Sequence, residues 1–153
     1  MSIIVTQYQQ RLEYLFNKVG NFSCDDELLA HWARYLCILT SGFLEVSIRE
    51  IYGEYARTKA APNVANFVSD QLRRFQNPNM DKILRLTRSF SSEWGKNLEN
   101  GTQGELKASV DSIVANRHNI AHGVPVGITY GAIKRYYENA KKVIDMIINQ
   151  CAT

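Results

Sequence analysis

An all-α fold follows from three observations: apolar residues recur at three- and four-residue spacing along most of the chain, the breaks between these runs carry proline, glycine or asparagine, and no segment alternates as a half-buried strand does. The expected architecture is a compact helical bundle in which long amphipathic helices are joined by short ones. The first helix is predicted from about Ile3 to Val19, with Ile4, Tyr8, Leu12, Leu15 and Val19 on one face and Gly20-Asn21 as its stop. Ser23 then caps a second helix, whose first turn carries Asp25, Asp26 and Glu27 where the helix dipole favours acids. Its buried stripe reads Leu28, Trp32, Tyr35, Leu36, Leu39, Phe43 and Val46 and continues through Ile51 and Tyr55. A helix of that length, more than about eight turns, must be the spine of so small a protein.

Pro62 ends the spine, and a shorter helix with Val64, Phe67, Val68, Leu72 and Phe75 follows until Asn77-Pro78-Asn79 breaks the chain again. Met80 to Leu86 and Glu93 to Leu98 read as two more short helices, closed by Asn100-Gly101. Thr102 and Glu105 have capping-box spacing and open the next helix, in which Leu106, Val110, Ile113 and Val114 form one buried face. Gly123 stops it, Pro125 prevents its resumption, and Pro125 also argues against a strand at Val124 to Ile128. Thr129 caps a last helix carrying Ile133, Tyr137, Ala140, Ile144 and Ile147.

Residues 1–153 suit a single domain, long enough to bury one core without metals or disulfides. Apolar residues at 45% and charged residues at 22% are ordinary globular values, which speaks against disorder and against a membrane protein. No apolar run approaches the roughly 18 residues that span a bilayer. The N-terminus has no basic n-region, so no signal peptide is read there and a cytoplasmic protein is expected. Cys24, Cys37 and Cys151 are odd in number and widely spaced, which suits a reducing compartment and implies neither a disulfide framework nor a cysteine zinc site. A net charge of +3 permits association with a polyanion without requiring it.

The segment Arg117-His118-Asn119-Ile120-Ala121-His122, closed by Gly123, is the most informative in the chain. One turn beyond Ile113 and Val114, the core-facing stripe carries Arg117 and His118, and one turn later Ala121 and His122. Polar groups at core-facing positions cost several kcal/mol unless something pairs with them. The segment therefore lines a polar cleft or meets a charged partner.

Arg117 and His122, with four residues between them and a polar residue directly after the arginine, resemble the Arg-x4–6-His motif of the HEPN superfamily. The wider phrase from Asp111-Ser112-Ile113-Val114 to Gly123 is most similar to the RiboL-PSP-HEPN branch. Gly42-Phe43-Leu44-Glu45 on the long helix and Asn79-Met80-Asp81-Lys82-Ile83-Leu84 followed by Phe90 and Trp94 fit that branch too, so the resemblance covers most of the chain. It implies an all-helical HEPN domain and a metal-independent endoribonuclease of a prokaryotic defence or toxin type, with no cofactor. It also implies a homodimer in which both motifs face one cleft, with RNA as substrate and an unidentified antitoxin or regulatory protein as a further partner. Some HEPN toxins carry a tyrosine two residues after the motif histidine, where an antitoxin modifies it; this chain has Val124 there, which argues against regulation by that route. A non-catalytic HEPN domain that binds RNA, nucleotide or a partner protein is the alternative, and a helical scaffold whose polar stripe is an oligomer interface is a third.

RNA is cut without metal when a base removes the 2′-hydroxyl proton, an acid protonates the leaving 5′-oxygen and a cation stabilises the phosphorane. Histidine can fill either proton-transfer role, and arginine grips phosphate oxygens in a fork. Five residues apart on a helix puts Arg117 and His122 about 140° around its axis, so they meet through arginine's reach, a distorted last turn or a second protomer. Against this stands a purely structural role, in which Arg117 salt-bridges Glu45 or Asp111 and His122 caps the helix. His118 either orients Arg117, touches substrate or simply faces solvent, and Asn119 is expected to be exposed. His118 and His122, one turn apart, have the spacing for one metal ion, but the glutamate of a His-Glu-x-x-His helix is replaced by Asn119 and no third ligand is evident.

Arg73, Arg74, Lys82, Arg85 and Arg88 form the densest basic cluster, read either as a track for phosphates or as a solvated face. Trp94 and Phe90 are read as core rather than base-stacking platforms, because Ile83, Leu84 and Leu98 surround them in sequence. Glu45 either pairs with Arg49 one turn on or faces Arg117 and positions its guanidinium.

Overall fold

A computed structural model describes residues 2–152, which form seven helices and no strand: α1 (Ile3–Gly20), α2 (Asp26–Lys59), α3 (Pro62–Leu72), α4 (Met80–Phe90), α5 (Ser92–Thr102), α6 (Glu105–Ala121) and α7 (Tyr130–Cys151). None of them is long and apolar enough to cross a membrane. The 34-residue α2 is the spine, roughly 50 Å long, and α1, α3, α6 and α7 all pack against it.

That crowding changes the expected stripe. Asp25, not Ser23, is the N-cap of α2, its carboxylate accepting the Leu28 amide at 2.8 Å. Leu28 and Tyr35 are exposed, whereas the small residues Ala33, Cys37, Thr40, Ser41, Ser47 and Gly53 are buried. A helix gripped on several sides is selected for close approach as well as for greasiness. Gly42 shows the limit of that approach: a Cβ there would lie 2.5 Å from the Tyr8 hydroxyl, which itself donates to the Leu39 carbonyl. On α1 Leu12 and Val19 are buried as expected, Val5 and Phe16 are buried in place of Ile4 and Leu15, and Ile4 is exposed. Val64 and Phe67, expected in the core, lie exposed on α3, which buries only Ala65 and Leu72.

The predicted capping box at Thr102 and Glu105 does not form. Helix α5 runs on through Asn100-Gly101, and the Thr102 hydroxyl donates back to the Leu98 carbonyl inside it. Gly104, at φ 90°, makes the sharp turn into α6, which has no side-chain cap. Ser91 closes α4 and caps α5 through the Trp94 amide, and Thr129 caps α7 as expected.

Two aromatic clusters tie the bundle together. Tyr137 stacks on Phe16 at 4.9 Å and meets Phe43 edge-on, joining α7, α1 and α2. Tyr52 stacks on Phe90 at 4.6 Å and bonds the Thr87 hydroxyl, while Tyr55 meets Trp94, so Phe90 and Trp94 do pack on the core.

Helix α6 is pinned from three sides. The Cys37 thiol of α2 donates to the Ile113 carbonyl, the Asn139 amide of α7 donates to the Ser109 hydroxyl at 2.9 Å, and Asp111 accepts the Met80 amide at the start of α4. Both Asn139 and Ser109 are buried. Asn139→Ala strands the serine hydroxyl and should cost about 1–3 kcal/mol, read as a lower urea midpoint.

Burial pushes the Cys37 thiol up to about 12, from an ordinary value near 9, and raises the Tyr52 and Tyr137 hydroxyls above theirs. The folded chain thus keeps protons that the unfolded chain releases in alkali. This stability is fully present below about pH 9 and is lost as pH rises towards about 12. Urea midpoints taken across that range should fall, and in Cys37→Ala the fall should be shallower, what remains coming from Cys151, whose thiol burial raises to about 11, and from the tyrosines.

Candidate active site

The last turn of α6 carries the motif. Its end is a complete Schellman closure: His122 N–H donates to the His118 carbonyl at 3.1 Å, Gly123 N–H to Ile120 at 3.2 Å and Val124 N–H to Asn119 at 2.8 Å. Gly123 has φ 72°, a conformation that costs a side chain about 1–2 kcal/mol. Gly123→Ala should lower stability by about 1 kcal/mol in thermal unfolding and loosen the turn that fixes His122.

That turn brings His118 and His122 together. Their ring centroids are 4.4 Å apart and both residues are exposed. Asn119, expected to be exposed, is half-buried, whereas Ala121 of the expected stripe faces solvent. Among the described residues no three His, Cys, Asp or Glu side chains gather into a metal-binding group.

Arg117 is half-buried, on the continuation of the Ile113 and Val114 face. Both carboxylates that offered it a salt bridge are engaged elsewhere. Glu45 pairs with Arg49 at 3.1 Å and accepts the Asn77 amide at 3.3 Å, and Asp111 accepts the Met80 amide at 2.9 Å. No hydrogen bond or ion pair within the described residues engages the Arg117 guanidinium. Glu45 therefore does not face Arg117. With Arg49, which also donates to the Phe75 carbonyl, it holds the α3–α4 loop.

That loop forms one wall of a cleft of about 550 Å³ whose other wall is α6. Asn77, Asn79 and Lys82 line it from the loop and α4, and Lys107, Asp111 and His118 from α6. Lys107 was not singled out in the sequence, although positions 107, 111, 114/115, 118 and 122 share one helical face. Of the basic cluster, Lys82 lines the cleft, and Arg73, Arg74, Arg85 and Arg88 lie beyond it. Arg73 and Arg74 pair with Asp70, Arg85 with Asp81 and Arg88 with Glu99, all on the exposed surface, where such pairs are worth about 0–1 kcal/mol and exchange readily for another anion.

The model of the RiboL-PSP-HEPN family matches residues 6–153. The chain belongs to this family. No curated protein and no solved structure matches it. Since the family match spans the helical bundle from α1 to α7, the paired histidines and Arg117 of this HEPN protein lie within the matched region, at the end of its penultimate helix.

Proposed function

We propose that this HEPN protein is a metal-independent endoribonuclease acting as a homodimer, with Arg117 and His122 as catalytic residues and His118 assisting. The observation that carries the reading is the unpaired guanidinium of the half-buried Arg117, the residue directly before two exposed, adjoining imidazoles, His118 and His122. A cation with no partner in the fold is free to hold a phosphate that arrives with substrate.

In the reaction the 2′-oxygen attacks the adjacent phosphorus while a neutral imidazole takes its proton. The bond to the 5′-oxygen breaks as an acid protonates it, and Arg117 holds the equatorial oxygens. Attack and departure occur on opposite sides of the phosphorus, and two imidazoles in contact leave no room for a phosphate between them. One protomer thus supplies one side of the reaction and a second protomer the other, which is the reason for a dimer. His122 exchanges the proton, His118 orients it or touches the phosphate, and the basic cluster of Arg73, Arg74, Arg85 and Arg88 guides the RNA. A role in prokaryotic defence or as a toxin restrained by a separate protein fits this chemistry.

Labelled RNA incubated with the protein in excess EDTA tests the reading. Cleavage should persist in EDTA, and specific activity should fall on dilution as dimers dissociate. Cleavage that needs added magnesium would contradict it, and tight RNA binding without turnover would favour the non-catalytic alternative.

A further inference from the structure

Three cavities adjoin along α4. The cleft beside His118 shares Lys82 with a smaller one of about 270 Å³, lined by Arg74, Gln76, Lys82 and Arg85. That one shares Arg74, Phe75, Leu86 and Ser89 with a groove of about 570 Å³ between α3 and α4. The groove is apolar, walled by Phe67, Val68, Leu72, Phe75, Leu86 and Phe90, with Arg74 at its rim. Phe67 is 65% exposed there, a large aromatic ring with no core to fill. The trough runs the length of α4, roughly 16 Å, from aromatic walls at one end to His118 at the other. Arg74, Lys82, Arg85 and Lys107 line it against two carboxylates, Asp81 and Asp111, so cations outnumber acids in its lining. Arg74 reaches Asp70 only at 3.8 Å.

From this continuity we infer that the α3–α4 groove is a base-binding subsite: it stacks an unpaired base of the RNA several nucleotides from the scissile phosphate, while Arg74, Lys82, Arg85 and Lys107 carry the intervening backbone. The inference rests on the ribonuclease reading for the identity of its ligand. Aromatic walls meet the face of any base, and arginine at the rim meets its phosphate. An acidic apolar peptide would meet the same groove and cations, and stands as the competing outcome of the test below. Paired bases cannot enter, so the substrate carries a single-stranded stretch beside the cut.

The test uses the wild-type chain and a fluorescent 2′-O-methyl RNA dodecamer, which lacks the attacking hydroxyl and binds without turnover. Phe67→Ala and Arg74→Glu alter exposed side chains and should each weaken binding of the dodecamer about tenfold, while binding of a dinucleotide, too short to reach the groove, stays unchanged. A duplex of the same sequence should bind more weakly than the single strand. Dodecamer binding unaffected by Phe67→Ala, equal binding of the duplex, or preference for an acidic peptide would each overturn the inference. Cleavage of ordinary RNA in EDTA is scored separately, so a failed groove and a failed catalyst give different results.

Discussion

His122→Ala is expected to slow RNA cleavage by about 10²–10⁴-fold, the usual contribution of one positioned proton-transfer group. The same variant should unfold within about 0.5 kcal/mol of wild type, because His122 is exposed beyond the last full turn of α6 and its backbone, not its ring, makes the Schellman closure. The helix dipole gains a little from a cationic imidazole there, but that gain is small beside the loss of rate. Single-turnover cleavage and thermal unfolding on one preparation separate the two. A variant that cleaves at the wild-type rate contradicts the catalytic assignment. One that loses stability and rate together would mean the histidine is structural.

Arg117→Leu should move the two readouts in opposite directions. Leucine continues the Ile113 and Val114 face and removes a half-buried cation that no described carboxylate engages, so stability should hold or rise by about 1 kcal/mol. Cleavage should fall as far as in His122→Ala, since nothing else on α6 offers a fork to a phosphate. Arg117→Lys keeps the charge without the fork and should fall between. Destabilisation by leucine would show that the arginine has an intramolecular partner and a structural role.

How far the fold was legible depended on whether a signal was local. Pro62 as the end of the spine, Asn77-Pro78-Asn79 as a break, Thr129 as a cap and Gly123 as a stop act within a few residues, and the structure has each in that role. The Thr102 and Glu105 pair has the same local look, yet α5 continued through Asn100-Gly101 and consumed the threonine. The buried face of α2 was the least legible. Ala33, Ser41 and Ser47 are buried because four helices press on the spine, and a hydrophobic stripe cannot report that. Phe67 was misplaced for the opposite reason, since only its neighbours reveal that it borders a groove rather than a core.

The candidate site divides in the same way. That His118 and His122 adjoin follows from their four-residue spacing. That Arg117 stands unpaired does not, because it depends on Glu45 finding Arg49 and Asn77, and on Asp111 finding Met80 across some thirty positions of sequence. Lys107 was within reach of a helical-wheel reading but gains meaning only beside the α3–α4 loop that closes the cleft.

The most direct test of metal-independent cleavage by Arg117 and His122 is the chemistry of the ends left on RNA cut in excess EDTA, with His122→Ala prepared identically beside wild type. Transesterification predicts 2′,3′-cyclic phosphate, or the 3′-phosphate from its hydrolysis, and 5′-hydroxyl ends from wild type alone. Ends bearing 5′-phosphate, or the same ends in equal yield from the variant, would contradict it.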